Sequence, residues 1–289
     1  MSERNIWLAG SRPRTLPAAI SPVLVGTALI RRDHHSINIL NAILALLVSL
    51  LLQIAVNYSN DYSDGIRGTD NNRVGPVRLV ASGLASAQAV KRAAFICFAF
   101  ASLFGAILAF RVSWWLVLVG LISILAAWNY TGGKRPYGYS GLGEISVFLF
   151  FGLVATIGSY VVQSHRISWQ SALVSVPVGA LSCSLLAINN LRDLPKDALV
   201  GKRTVAVRLG DKRARTMLIS LLVLVHLAAA LAALITPWTL ITLLFLPITG
   251  KIARGVQSGA AGAQLIPMLG QVGKLQLFLS TALAFALLV

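Results

Sequence analysis

Two clusters of acidic residues carry the clearest chemical signal in this sequence, because the chain contains only nine aspartates and glutamates. Four of those nine belong to two asparagine-containing stretches, NYSNDYSD at 57–64 and NNLRDLPKD at 189–197. In a helix, the polar residues of each stretch share one face: Asn57, Asn60, Asp61 and Asp64 in the first, and Asn189, Asp193 and Asp197 in the second. Like charges on one face destabilise a helix end unless a cation neutralises them. Both stretches therefore predict sites for a bound cation.

The chemistry of these side chains favours magnesium as that cation. Carboxylate and amide oxygens with no His or Cys beside them suit Mg²⁺ better than Zn²⁺ or Cu²⁺. Mg²⁺ held by one or two carboxylates completes its shell with water and substrate phosphate, so two facing clusters would clamp a diphosphate. We predict two Mg²⁺ ions, with Mn²⁺ able to substitute for them. The predicted metal ligands are Asn60, Asp61, Asp64, Asp193 and Asp197.

Basic and polar side chains lie beside both clusters and suit the oxygens of a phosphate group. The predicted substrate-binding residues are Asn57, Arg67, Arg73, Arg78, Tyr130, Lys134, Arg135, Asn189, Asn190, Arg192, Lys196 and Lys202. Two alternatives stand beside this interpretation. The acids could simply solvate helix ends and pair with nearby cations, although two matched clusters disfavour that. Tyr130, Tyr137 and Tyr139 could line the mouth of a substrate site or form an interfacial aromatic belt.

The rest of the chain predicts a membrane protein that holds these clusters. Hydrophobic residues make up 56% of it, charged residues 12%, and the mean hydropathy is +0.77. Soluble domains carry about 25% charged residues, so a soluble enzyme, a nucleic-acid binder and a disordered regulator are all disfavoured. We predict an all-α membrane protein with a single domain over 1–289. Its nine predicted transmembrane helices are 15–31, 38–58, 89–110, 113–130, 143–163, 169–190, 214–235, 237–254 and 272–289.

The distribution of basic residues predicts the orientation of the chain. With the N-terminus in the cytoplasm, 21 of the 25 Lys and Arg lie on the inner side of the membrane, as the positive-inside rule requires. Both acidic clusters then lie on the cytoplasmic side of the cell membrane. The predicted active-site loops are about 59–92, 131–141 and 191–213, and the first ends in a short helix near residues 85–92.

At its two acidic motifs the sequence resembles the UbiA-type membrane prenyltransferases. The motifs are N-D-x-x-D at 60–64 and D-x-x-x-D at 193–197. Four longer stretches make the resemblance more specific: SRPRTLPAAISPVLVGTAL, GPVRLVASG, YTGGKRPYGYSGLGE and NNLRDLPKDALVGKRTVAVRLG. They point to the branch of the family that prenylates 1,4-dihydroxy-2-naphthoate. One departure is Gly68, which stands where the wider family often has a third Asp; the next acid is Asp70.

The resemblance implies a nine-helix bundle around a central cavity with a lateral opening for an isoprenoid tail. A polyprenyl diphosphate would bind through Mg²⁺ to the two Asp motifs and ionise. The 1,4-dihydroxy-2-naphthoate ring would then attack, losing CO₂ and giving a demethylmenaquinol. The expected catalytic residues are Asp61, Asp64, Asp193, Asp197 and Tyr137. Asp61 and Tyr137 remain alternatives for the group that deprotonates the acceptor hydroxyl.

Two other functions remain open at this stage. A related prenyltransferase could use another acceptor, namely 4-hydroxybenzoate, homogentisate or haem. A transporter of an anionic, Mg²⁺-bound solute could also use charged helix ends. Transport is disfavoured because both carboxylate clusters are predicted on the same side of the membrane. The expected partners are the two substrates and the lipid bilayer, without nucleic acid, and the sequence leaves the oligomeric state open.

Overall fold

The computed structural model describes residues 3–69, 75 and 77–289, with side chains from residue 6 onward. Asp70 and Arg73 lie outside the described residues. The described part of the chain is helical and has no β-strand. The helices are α1 (Glu3–Ser11), α2 (Pro17–Ala28), α3 (Ile39–Ile66), α4 (Ala87–Arg111), α5 (Trp115–Asn129), α6 (Gly143–Val147), α7 (Ala155–Ser164), α8 (Trp169–Leu199), α9 (Val205–Leu231), α10 (Leu246–Gln257) and α11 (Leu265–Leu288).

Seven helical segments in the described residues are long and apolar enough to cross a membrane. An eighth crossing is possible if the first two helical segments, which meet at 51°, count as one span. Helix α5 is apolar but has only 15 residues, which corresponds to about 22 Å of helix against a hydrocarbon core of about 30 Å. All nine predicted spans lie in helical segments of the structure. The number of complete membrane crossings, nine, stays a prediction.

Helix α8 is the centre of the bundle. In its most apolar 18-residue stretch 78% of the residues are buried, against 28% in α3 and α4, which face outward more. A capping box at Ser168 and Ser171 begins the helix. A π-helical turn at Phe148–Val154 joins α6 to α7, and it packs so closely on α8 that a Cβ on Gly152 would lie 2.7 Å from the Cα of Gly179.

The predicted loops on the acidic side are shorter than expected because the helices continue through both motifs. Helix α3 runs to Ile66 and α4 begins at Ala87, capped by Ser86, so the predicted 59–92 loop and its separate short helix are wrong. Helix α8 likewise extends to Leu199, and α9 begins at Val205. The spans predicted from hydropathy end too early, because the last turns of both helices carry the polar residues of the site.

Candidate active site

Two adjoining cavities occupy the space between the helices. A polar cavity of about 440 Å³ lies at the ends of α3 and α8. An apolar cavity of about 320 Å³ extends from it along α2, α3, α4, α5, the α6–α7 segment and α8. Six residues line both: Arg12, Thr15, Asn60, Tyr130, Leu186 and Asn189. The two cavities therefore form one space with a charged end and an apolar end.

Asp64 is a carboxylate of the polar cavity that contacts several polar and charged side chains. Its side chain accepts a hydrogen bond from the Tyr139 hydroxyl. The Nζ of Lys202 lies 3.2 Å from one of its oxygens, and the guanidinium of Arg78 lies 3.8 Å from the other. Lys202 also lies 4.5 Å above the Tyr139 ring. One acidic side chain thus gathers two cations and a phenol that belong to three different segments of the chain.

The second motif lines the opposite wall of the same cavity from α8. Arg192 binds Asp193 in a bidentate manner, with two N–O distances of 2.7 Å. The Arg192 side chain is only 1% exposed, and its Nη1 is buried without a hydrogen-bond partner in the described part of the chain. Lys196 and Asp197 lie one turn further along the helix and line the cavity as well.

Asp61 lines neither cavity, although its spacing predicts a place on the same face as Asp64. It is fully buried, and its two oxygens accept the backbone N–H groups of Leu79 and Val80 at 2.8 and 3.0 Å. Those two residues follow Arg78, which faces Asp64. The structure therefore gives Asp61 a direct contact with the segment that carries Arg78, and no place in the cavity wall.

The other polar residues of the first motif connect α3 to its neighbours. Asn60 lines both cavities and accepts a hydrogen bond from Thr131 at 2.8 Å. Asn57 donates to the Ser11 carbonyl at 2.8 Å and to Thr15 at 3.1 Å, so it holds the bend after α1. Arg67 donates to the carbonyls of Thr131 and Gly133 and does not itself line either cavity, so its phosphate contact stays a prediction.

The loop between α5 and α6 brings three tyrosines to the site. Tyr130 lines both cavities and packs edge-on against Tyr137 with their ring centroids 5.4 Å apart. Tyr137 lines only the apolar cavity; its hydroxyl donates to the Ala126 carbonyl and lies 2.9 Å from the Ser146 hydroxyl. Tyr137 does not line the polar cavity to which both acidic motifs contribute. Lys134 and Arg135 are exposed and line neither cavity, so their contact with substrate stays a prediction.

The remaining predicted residues lie on α8. Asn189 lines both cavities, and Asn190 lines the polar one. Asn190 donates from its amide to the Glu144 carboxylate at 2.9 Å. The predicted contact from Arg73 falls outside the described residues.

The sequence offered Tyr139 only as a residue that could line the mouth of a substrate site, and it did not predict Arg12 as a site residue. Burial and the neighbouring Asp64 raise the pKa of Tyr139, so its hydroxyl keeps its proton and donates to that carboxylate. Arg12 lines both cavities and donates to the Asn57 carbonyl at 3.3 Å. Its left-handed backbone, with φ 53°, turns the chain between α1 and α2. The only sequence signal for Arg12 is its place in the SRPR segment.

The side chains of the polar cavity are consistent with a magnesium diphosphate. The described lining has six cations, Arg12, Arg14, Arg78, Arg192, Lys196 and Lys202, against three carboxylates, Asp64, Asp193 and Asp197. Oxygen ligands and excess positive charge in one cavity suit a hard cation bound together with a polyanion. In the described residues no three His, Cys, Asp or Glu side chains converge closely enough to hold a metal by themselves. Substrate phosphate would have to complete such a site.

The fold and the two-part cavity define a class of protein: a membrane-embedded helical bundle that accommodates a molecule with an anionic head and an apolar tail. The model of the UbiA prenyltransferase family matches residues 19–258. The chain belongs to the UbiA prenyltransferase family.

Curated relatives match over nearly their whole length. The chain is 48% identical to the 1,4-dihydroxy-2-naphthoate octaprenyltransferase of Mycobacterium tuberculosis (strain ATCC 25618 / H37Rv), covering 97% of this chain and 96% of that protein. It is 39% identical to the enzyme of the same name from Escherichia coli (strain K12), covering 95% and 92%. Among solved structures, a UbiA homolog from Archaeoglobus fulgidus bound to GPP and Mg²⁺ has the same fold, with a TM-score of 0.70, 16% identity and coverage of 98% and 99%.

Proposed function

We propose that the protein transfers a polyprenyl group from polyprenyl diphosphate to 1,4-dihydroxy-2-naphthoate, releasing diphosphate and CO₂ and giving a demethylmenaquinol. The observation that carries this proposal is the continuity of the two cavities. A cation-rich chamber with three carboxylates opens directly into an apolar chamber, and six residues line both. A polyprenyl diphosphate has the same division into a charged head and an apolar tail.

The names of the relatives support the choice of acceptor. Proteins called 1,4-dihydroxy-2-naphthoate octaprenyltransferase from several bacteria match at 28–48% identity over at least 95% of this chain. A protein called 2-carboxy-1,4-naphthoquinone phytyltransferase, from Synechocystis sp. (strain ATCC 27184 / PCC 6803 / Kazusa), also matches at 29% identity. The acceptors in these names are naphthalene-ring acids.

We propose that Asn60, Asp64, Asp193 and Asp197 hold Mg²⁺ together with the substrate diphosphate. The ion would neutralise negative charge as the carbon–oxygen bond of the allylic diphosphate breaks. Arg78, Arg192, Lys196 and Lys202 would bind the phosphate oxygens in the same chamber. Because these cations are held in place before the reaction, they stabilise the departing diphosphate at little cost in reorganisation. The presence of two ions, and the use of Mn²⁺, belong to this proposal.

The apolar cavity has a different role in the proposed reaction. Side chains such as Val56, Leu185 and Phe151 would surround the tail and keep water from the allylic cation. The ring of the acceptor would approach at the junction of the cavities, where Tyr130 and Asn189 line both. We place the whole chain, 1–289, in the cell membrane as one domain with the polar cavity on the cytoplasmic side.

Purified protein with labelled polyprenyl diphosphate and a panel of aromatic acids tests this proposal. We expect product from 1,4-dihydroxy-2-naphthoate, none from 4-hydroxybenzoate or homogentisate, and release of one CO₂ for each product. Chelation with EDTA should abolish transfer, and Mg²⁺ or Mn²⁺ should restore it, whereas the larger Ca²⁺ should not. Transfer only to another acceptor would overturn the proposed choice of acceptor. Full activity in excess chelator would overturn the proposed role of the metal ion.

A further inference from the structure

Glu144 is a half-buried residue beside the junction of the two cavities, and the reaction described above gives its carboxylate no role. It lies in the first turn of α6 and lines neither cavity itself. One of its oxygens accepts a hydrogen bond from the Asn190 amide at 2.9 Å. The other, Oε2, is buried without a hydrogen-bond partner in the described part of the chain. A buried carboxylate oxygen is costly to leave without a donor, so this arrangement calls for an explanation.

The contact with Glu144 determines which way the Asn190 amide faces. The Nδ2 of Asn190 donates to one carboxylate oxygen of Glu144 at 2.9 Å, so the NH₂ group of Asn190 points towards Glu144. The carbonyl oxygen of the same amide then points the other way. Because Asn190 lines the polar cavity, this oxygen would be available there as a hydrogen-bond acceptor.

Tyr130 completes the wall beside Glu144. A Cβ built on Gly143 would lie 2.9 Å from the Tyr130 hydroxyl and 3.3 Å from a methyl group of Leu186. Tyr130 and Leu186 both line the two cavities. The residue next to Glu144 therefore packs directly against the wall at which charged head and apolar tail must meet.

We infer that Glu144 is a positioning residue for the aromatic acceptor, which it orients through Asn190. The inference rests on the proposed function. The Asn190 carbonyl oxygen, held in place by Glu144, would accept a hydrogen bond from a ring hydroxyl of the acceptor. The ligand class is a hydroxylated aromatic acid.

The balance of the reaction agrees with a hydrogen-bond acceptor at this position. A carbon–carbon bond forms between the allylic carbon and the ring carbon that bears the carboxylate. The bond from that ring carbon to the carboxylate then breaks, CO₂ leaves, and its electron pair restores the aromatic ring. At the allylic carbon, the carbon–oxygen bond breaks and diphosphate leaves with its electron pair, so the overall reaction does not require the hydroxyl to lose its proton. The site needs to orient and polarise that hydroxyl, and a fixed amide oxygen does so without a path for protons to water.

Separate KM values for the two substrates test this inference. In Glu144→Gln the side chain keeps its size, but the charge is lost and the amide of Asn190 is free to turn. We expect the KM for the acceptor to rise by about tenfold, the order of one hydrogen bond, while the KM for polyprenyl diphosphate changes by less than about twofold. Asn190→Ala should shift the same KM in the same direction. Glu144→Asp, which keeps the charge, should recover part of the loss.

A matched control is Cys183→Ala. The Cys183 thiol donates to the backbone carbonyl of Glu144 at 3.2 Å and leaves its carboxylate alone, so this variant should keep both KM values. Thermal unfolding of each variant distinguishes a folding defect from a positioning effect. An unchanged acceptor KM in folded Glu144→Gln, or equal rises in both KM values, would overturn the inference. Absence of prenyl transfer in the unsubstituted protein would instead overturn the proposed function.

Discussion

At the scale of single residues, Asp64 brings two cationic side chains together at one carboxylate. Asp64→Asn keeps the shape of the side chain and removes the charge that pairs with Lys202 and Arg78. Loss of one stabilising contact to a departing charge typically lowers the rate by about 10²–10³. We expect a loss of this size in the steady-state rate of prenyl transfer, with the variant still folded by thermal unfolding.

The control for Asp64 is Asp211, an acid on α9 whose side chain is 59% exposed and pairs only with Arg215 among the described contacts. Asp211→Asn should leave the rate nearly unchanged. If the two variants have similar rates, the acids act as solvated helix ends and the proposed site is wrong.

Tyr139 gives a prediction about pH dependence. Burial and then the charge of Asp64 raise the pKa of Tyr139 above its ordinary value of 10.0, so the hydroxyl stays protonated below that pH. Tyr139→Phe removes one donor from Asp64, which should lower kcat by about tenfold. Because the donor keeps its proton throughout, the ratio of the two rates should be constant between about pH 6 and pH 9. A ratio that falls as pH rises would mean that Tyr139 titrates within this range.

At the scale of elements, the position of the segment that contains Leu79 and Val80 depends on α3. Asp61 accepts the backbone N–H groups of Leu79 and Val80 while fully buried. In Asp61→Asn, the amide oxygen can still accept one of these two N–H groups. The NH₂ group of the new side chain then faces the other N–H group, so that two donors meet. We expect a loss of about 1–3 kcal/mol in the free energy of unfolding and a higher KM for polyprenyl diphosphate, since Arg78 adjoins this segment.

The same variant tests whether Asp61 is a metal ligand, as its spacing predicted. A metal ligand would lose kcat and metal affinity with little change in stability. Thermal unfolding and a Mg²⁺ titration of the rate, measured on the same preparation, distinguish the two roles. Asp211→Asn is again the control, because it removes a carboxylate that is exposed.

The sequence predicted the elements well and their ends less well. Hydropathy located helix in all nine predicted spans, because apolar runs of that length are unambiguous. It ended α3 and α8 too early, because the polar faces at 57–64 and 189–197 reduce the hydropathy of turns that remain helical. Helical spacing placed Asn60, Asp64, Asp193 and Asp197 towards one space. It could not place Asp61, which shares their periodicity, because its orientation depends on backbone donors that are distant in sequence.

At the scale of the whole molecule, the polar cavity draws on segments from the entire chain. Arg12, Asp64, Tyr139, Asp193 and Lys202 line it together, although no hydropathy pattern links them. Arg203 also donates its backbone N–H to the Tyr139 carbonyl at 2.8 Å, which joins the α8–α9 turn to the α5–α6 loop. These long-range contacts are the part of the site that sequence spacing could not predict.

The convergence of these segments gives a prediction about topology. Reporter fusions after Arg78, Arg135 and Lys202 should all report the cytoplasm, since the helix ends that they follow surround the polar cavity. A fusion after His35, between α2 and α3, should report the opposite side. A cytoplasmic signal after His35 would contradict the proposed orientation of the early helices.

The ion pairs of the polar cavity have a consequence for the order in which its ligands bind. Asp64 already pairs with Lys202, and Asp193 with Arg192. A divalent ion arriving alone would have to compete with these cations, and a bare diphosphate would have to draw them from their carboxylates. At the proposed site, if both arrive together, the carboxylates would bind the ion and the cations would bind the phosphates, so that no charge would lose its partner. The affinities of ion and diphosphate should therefore be thermodynamically coupled, each raising the other by the same factor.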